Sequence, residues 1–290
     1  MKSPEQVAAI QSRRRSEREQ LQLLNNVDGW HETIKSKLFG LYDCAQFRNF
    51  ERCGHEKIFR TCTSCGDWKS FTYHCMVKWC PRCNWRITRT RHKLIERWSQ
   101  RIAQPKHVVT TQRNTRTLNG RMIREHQVAL AKLRRTNVFD QVAGGCVSVE
   151  LTNESAGWHL HAHWLLDARW IDAQELSRTW GRLVGQTYAI VKVCDLRSRK
   201  EFAREVSKYV IKGSEMSKWD AEEIHQFVRA VKGRRFFFAF GSLFKEGSAV
   251  RAELLAEKVP TLCECGCGKF VVRSEVDQAL HDIRKQQRSR

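Results

Sequence analysis

The strongest alternation of apolar and polar positions lies between Gly157 and Arg169, where the chain reads GWHLHAHWLLDAR. A period of two predicts a β-strand, because successive side chains of an extended chain point to opposite faces. Trp158, Leu160, Ala162, Trp164 and Leu166 then share a packing face, and His159, His161 and His163 share the other. Just upstream, Gly144–Thr152 (GGCVSVELT) reads as a second strand, and Asn153–Ala156 as the turn of a hairpin. With Thr152 opposite Gly157, Glu150 pairs with His159, lies diagonal to His161 and projects from the histidine face. A slip of one residue would turn it away.

The same reading extends along the chain. His107–Thr111 is a β-branched strand after a boundary at Pro105-Lys106, and Asn114–Gly120 is a loop. Arg121–Arg135 is a basic amphipathic helix, Ile171–Leu183 a helix begun by Asp172, and Tyr188–Leu196 a strand. Lys200–Ile211 is a helix, and the Phe-rich Gly233–Gly241 a buried strand. Upstream, Asn84–Arg101 is a helix studded with basic residues. Ser3, Pro4 and Gln6 make a helix start, with a cap, a proline at the first position and a capping box, leading a polar segment to about Asn26. Strands mixed with helices around a central hairpin predict an α+β fold, an antiparallel sheet with helices packed on it. The expected division is a basic helical arm (1–43), a cysteine-rich region with its basic helix (44–104), the sheet domain (105–250) and a cysteine-containing tail (251–290).

Charge narrows the partners. The 290 residues carry 52 Lys and Arg against 31 Asp and Glu, a formal charge of +21. That balance favours a polyanion, most simply nucleic acid. No apolar run approaches membrane-spanning length and the N-terminus lacks a signal-peptide pattern, so a cytoplasmic protein is expected. In that reducing compartment the 12 cysteines suit metal better than disulfides.

Two Cys-x-x-Cys pairs, Cys62/Cys65 and Cys80/Cys83, have knuckle spacing for a tetrahedral Zn²⁺. Together they make the favoured quartet, with Cys53, His55 and Cys75 forming a second set. Cys263, Cys265 and Cys267 either bind another zinc or supply ligands to the upstream cluster. Cys146 and Cys194 fall within strands and read as core thiols. The three strand histidines are poor core material and suit a divalent ion, the plain alternative being solvent-facing imidazoles.

The text GWHLHAHWLL followed by EVSKYVIKG resembles the HUH endonuclease superfamily, and most of all the rolling-circle replication initiator (Rep) proteins of plasmids. The resemblance runs from about Lys106 to Leu243, with a weaker echo in the cysteine-rich segment. It is loose at Thr110-Thr111, where those proteins carry a Leu-Thr strand end, and Ala162 is small for the hydrophobe of the histidine motif.

The resemblance implies an HUH fold with the histidines in mid-sheet and a tyrosine on a facing helix. It implies that His161 and His163 bind Mg²⁺ or Mn²⁺ with Glu150 as third ligand, and that His159 either binds or orients the others. Tyr209 becomes the nucleophile, giving a 5′-phosphotyrosine link and a 3′-OH primer. Helical spacing puts Glu205 and Lys212 on the side of Tyr209. Glu205 is then the group that activates water at termination, and Lys212 a phosphate-stabilising cation. The implied partner is single-stranded or supercoiled origin DNA. With no P-loop in the sequence, unwinding falls to a host helicase, and extension to a host polymerase. The alternatives are an HUH transposase or mobilisation relaxase, a non-catalytic zinc-dependent DNA-binding protein, and an ordinary zinc hydrolase.

Overall fold

The computed structural model of the protein describes residues 22, 25–39, 45–195, 203, 213–244, 249 and 262–272. In chain order the elements are helix α1 (25–38), then α2 (Ala45–Arg52), strands β1 (Lys57–Cys62) and β2 (Trp68–Thr72), and α3 (Pro81–Arg101). They continue with β3 (Pro105–Thr111), α4 (Gly120–Leu133), β4 (Val142–Glu154), β5 (Gly157–Ala168) and α5 (Ala173–Leu183). The last are β6 (Val191–Asp195), α6 (Ala221–Val231), β7 (Phe237–Phe240) and β8 (Phe270–Val272). The fold class is α+β with antiparallel sheets. Two compact units are present, one drawn from Met1–Tyr42 and Lys78–Arg251, the other from Asp43–Val77 and Ala252–Arg290. No helix among the described residues is long and apolar enough to cross a membrane. The predicted helix start at Ser3 and the tail beyond Asp282 lie outside the described residues.

The larger unit is organised by a five-stranded sheet of order β6-β3-β5-β4-β7. All its neighbouring strands are antiparallel. β5 is the middle strand, and its alternation sorts the two faces. Trp158, Leu160, Ala162, Trp164 and Leu166 are all buried, with Val147, Val149 and Leu151 of β4 beside them. Helices pack on this face. Trp158 meets Trp219 at 4.7 Å and Phe227 of α6 at 6.4 Å between ring centroids. The indole N–H of Trp164 donates to Thr110 Oγ1 (3.0 Å), and that of Trp180 in α5 to the Thr111 carbonyl (2.6 Å). Each large side chain buried here contributes about 1.5–3 kcal/mol of apolar transfer, while the indole bonds avoid stranded donors.

On the opposite face, α3 covers the β4–β7 edge. Trp98 stacks on Phe237 at 6.3 Å, and the Arg91 guanidinium lies 4.8 Å above the same ring. Burial lowers Arg91 to about 10 and pushes the neighbouring Cys146 thiol up to about 12. Cys146 is thus a core thiol, whereas Cys194 is only half-buried.

Several element ends differ from the sequence reading for local reasons. Helix α3 begins at Pro81 instead of Asn84, because Cys80 takes the extended cap position and proline suits the first helical turn. Helix α4 starts at Gly120, where the Asn119 side chain accepts from the Met122 N–H (3.0 Å). The Phe-rich strand is only Phe237–Phe240, since Gly233, at φ 70°, closes the end of α6. Strand β6 begins at Val191, not Tyr188, where pairing with Thr110 starts.

The hairpin register is also corrected. Its loop is two residues, Ser155-Ala156, so Glu154 pairs with Gly157, Thr152 with His159 and Glu150 with His161. The offset from the predicted pairing is two residues, and an even shift keeps every side chain on its face. Gly157 makes the tight loop possible. It sits at φ 91°, and a Cβ there would lie 2.4 Å from the Thr115 carbonyl oxygen, to which Trp158 donates at 2.7 Å.

The smaller unit is a three-stranded antiparallel sheet of order β2-β1-β8, accompanied by α2. Among the described residues its buried apolar side chains are few; Phe71 meets Phe270 at 6.2 Å and Phe47 meets Phe50 at 6.2 Å. Such a small core calls for a further staple.

Candidate functional site

Strands β4 and β5 bring Glu150, His161 and His163 together. Glu150 faces His161 directly across the ladder, and Ser148 faces His163. One carboxylate oxygen, Glu150 Oε2, lies 2.9 Å from His161 Nε2 and 3.2 Å from His163 Nε2. The three donor atoms lie within 4.8 Å of one another. Their side chains are 12–18% exposed, so the cluster is sheltered yet open to an ion and a ligand. Burial works to raise the Glu150 carboxyl, but hydrogen bonds from both histidines outweigh it and hold it well below the usual carboxylate range. The site therefore carries a ready anion between two imidazoles. Two ring nitrogens and a carboxylate oxygen fit a divalent first-row cation, and loading one would displace the protons now shared with Glu150.

His159 stands beside this group. Its ring meets that of His161 edge-on at 5.0 Å and hydrogen-bonds the backbone of Gln112, and burial lowers its basicity. It is not one of the three converging donors. Glu205, Tyr209 and Lys212 lie outside the described residues.

Two neighbours escaped the sequence reading. His107 on β3 reaches His163, and a single histidine near a strand start carries no signal until the register of β3 on β5 is known. The second is a groove of about 890 Å³ between the β3–α4 loop, α4 and the end of α5. Gln112, Arg113, Arg121, Arg124, His126 and Lys132 line it. Arg121 is paired with Glu125 (2.7 Å). At its floor His126 bonds Gln112 Oε1 through Nδ1 (2.9 Å), while its buried Nε2 has no partner among the described residues. Burial first, then the neighbouring His161 and His159, lowers His126 to about 3, so this ring is neutral. The helical pattern of Arg121–Arg135 was visible in the sequence; its alignment with Arg113 was not.

The smaller unit gathers thiols. Cys62, Cys65, Cys263 and Cys265 place their sulfurs within 4.8 Å of one another. Cys267 joins them, with Sγ 3.4 Å from that of Cys62 and 3.5 Å from that of Cys263. Gly66 and Gly266, both at φ 74°, turn the two cysteine loops. Backbone N–H groups of Ser64 and Gly268 point at Cys62 and Cys263 sulfurs (3.4 and 3.3 Å), as suits thiolates. Burial raises the Cys263 thiol, but hydrogen bonds from Cys265 and the Gly268 N–H prevail and bring it to about 6. This cluster could hold a metal such as zinc.

The grouping within this unit differs from the expected quartet of Cys62, Cys65, Cys80 and Cys83. Residues 263 and 265 return to the Cys62–Cys65 turn because β8 pairs with β1, Phe270 opposite Cys62. Cys80 and Cys83 belong to the other unit, buried at the start of α3 with sulfurs within 4.8 Å. Cys53 and Cys75 lie together, the Cys75 N–H directed at Cys53 Sγ (3.5 Å). His55 is not among the donors grouped with them.

A half-open, nitrogen-and-carboxylate centre in mid-sheet defines a protein with a candidate metal-binding site. Comparison with known families narrows that class. Residues 70–259 match the family described as "Replication protein", and the chain belongs to that family. It is 25% identical over 240 residues to "Protein rep" of Streptococcus pneumoniae serotype 2 (strain D39 / NCTC 7466), covering 68% of this chain and 73% of the relative. It is 28% identical over 219 residues to "Protein rep" of Lentilactobacillus hilgardii, covering 65% and 68%. No solved structure matches.

Proposed function

We propose that the protein is a plasmid rolling-circle replication initiator of HUH type, which nicks one strand of its origin and stays linked to the 5′ end. The observation that carries this reading is the convergence of Glu150 Oε2 with the Nε2 atoms of His161 and His163, in a chain of the replication protein family. In this reading residues 105–250 are the endonuclease domain, and Glu150, His161 and His163 hold Mg²⁺ or Mn²⁺. A bound divalent ion would supply Lewis-acid polarisation of a non-bridging phosphate oxygen. His159 orients its neighbours from the Gln112 backbone.

The Tyr209 phenoxide attacks the scissile phosphorus, a P–O bond to tyrosine forms, and the P–O3′ bond breaks. The departing 3′ oxygen takes a proton and becomes the primer hydroxyl. Lys212 stabilises phosphoryl charge. Because the phosphodiester's bond energy is kept in the phosphotyrosine, a 3′-OH can rejoin the strand without ATP. At termination Glu205 activates water, which releases the tyrosine. The basic groove at Arg113, Arg124 and Lys132 takes the backbone of the single strand. Cys62 and Cys65, with two of Cys263, Cys265 and Cys267, hold a structural Zn²⁺. Cys53 and Cys75 are further thiols of the smaller unit available to a metal, and Cys80 and Cys83 are further thiols of the larger one. The protein works in the cytoplasm, with a host helicase and a host polymerase as partners.

The test is incubation with the supercoiled replicon that encodes the protein, with Mn²⁺ or EDTA, followed by denaturation. The expected outcome is a Mn²⁺-dependent protein–DNA adduct at a 5′ end, absent in Tyr209→Phe. Tight origin binding without any adduct would overturn the nicking reading in favour of a non-catalytic DNA-binding protein.

A further inference from the structure

We infer that His107 is a positioning residue of the metal centre: it accepts a hydrogen bond from His163 Nδ1–H and so commits the opposite nitrogen, Nε2, to the ion. This rests on the reading of Glu150, His161 and His163 as metal donors.

The pairing of β3 with β5 brings the two rings together. Val109 lies opposite His163 and His107 opposite Leu165, so His107 shares the histidine face and stands diagonally next to His163. Its Nε2 lies 3.4 Å from His163 Nδ1. The rings are within 19° of parallel with centroids 5.6 Å apart, the arrangement of two imidazoles joined edge to edge. The far edge of His163 presents Nε2 to Glu150 at 3.2 Å. His163 is thus held by both nitrogens, from opposite sides, by two different strands.

Chemistry fixes the direction of the bond. An imidazole that gives Nε2 to a cation keeps its proton on Nδ1, and a half-buried N–H requires an acceptor. Metal-bound histidines are commonly held by a carboxylate or carbonyl at that position. Here a neutral imidazole nitrogen takes that role. It fixes the tautomer and ring angle of His163 without adding a negative charge beside Glu150.

The experiment measures Mn²⁺ binding to the full-length protein by titration calorimetry and by the EPR signal of free Mn²⁺. It compares His107→Gln with His107→Asn at matched melting temperature. Glutamine carries its amide oxygen to about the position of Nε2; asparagine stops one bond short. His107→Asn is expected to weaken Mn²⁺ binding roughly 10–100-fold, the usual effect of losing such a partner. His107→Gln is expected to stay within about threefold of the parent, and the Mn²⁺ needed for half-maximal nicking should shift in the same ratio. Equal affinities in the two variants, whether both normal or both weakened, would overturn the role of His107. Glu150→Ala and His163→Ala serve as separate controls. If neither lowers Mn²⁺ affinity, it is the metal-centre reading that fails, and the inference with it.

Discussion

The two donor clusters are made of opposite materials. In the sheet unit, the donors stand on two adjacent inner strands, each already bonded on both sides. Their spacing is dictated by the ladder, and a flat sheet can offer only half of a coordination shell. In the smaller unit the donors stand on two turns, which can wrap around an ion. Imidazole and carboxylate on a sheet leave positions free for water or phosphate, whereas thiolates on facing turns close the shell. The contrast teaches that backbone type governs whether a metal exchanges ligands or only holds the chain together.

The sharpest way to break that contrast is to remove the zinc proposed for the thiol cluster. Structural zinc bound by thiolates is worth on the order of 10 kcal/mol or more. Treatment with a strong zinc chelator, or Cys62→Ser with Cys263→Ser, should abolish amide protection in β1, β2 and β8 while β3, β4 and β5 stay protected. Hydrogen exchange read by mass spectrometry checks this; loss of protection in both sheets together would erase the distinction.

A smaller effect is expected at the hairpin that carries Glu150 and His161. Gly157→Ala meets both an unfavourable φ and the Thr115 carbonyl, and should cost about 2–3 kcal/mol. Chemical denaturation gives the cost. Mn²⁺ affinity should fall with it, while zinc content stays unchanged.

How much of this could be read in the sequence follows from which interactions are local. The histidine face, the hairpin and the caps at Asp172 and Asn119 depend on neighbours a few residues away. The register error was even, so the carboxylate stayed with the histidines although its partner changed from His159 to His161. Two things were illegible. The approach of His107 to His163 needs the β3–β5 register, and the return of Cys263 and Cys265 to Cys62 needs the β1–β8 pairing. Neither leaves a periodic trace, since residues so far apart in the chain share no repeat.

The least effect is set by His126, at the floor of the groove. Its folded pKa, about 3, lies below an unfolded value near 6.5. The unfolded chain therefore binds the extra proton first, so stability is full above about pH 6.5 and declines as pH falls toward 3. At pH 5.5 the loss from this group should be about 1.4 kcal/mol. His126→Gln should flatten the drop between pH 7 and 5.5 in denaturant melts; an unchanged slope would mean that another group carries it.

The strand order β2-β1-β8 has a consequence in time. Cys62 leaves the ribosome early, but Cys263 follows about 200 residues later. At roughly 5–20 residues per second, the first turn waits on the order of 10–40 s for its partner, long enough for the whole five-stranded sheet to be synthesised. The thiol cluster is closed last. A chain that stops short of it keeps the residues of the histidine centre and lacks both the strand that completes the smaller sheet and the second turn of the thiol cluster.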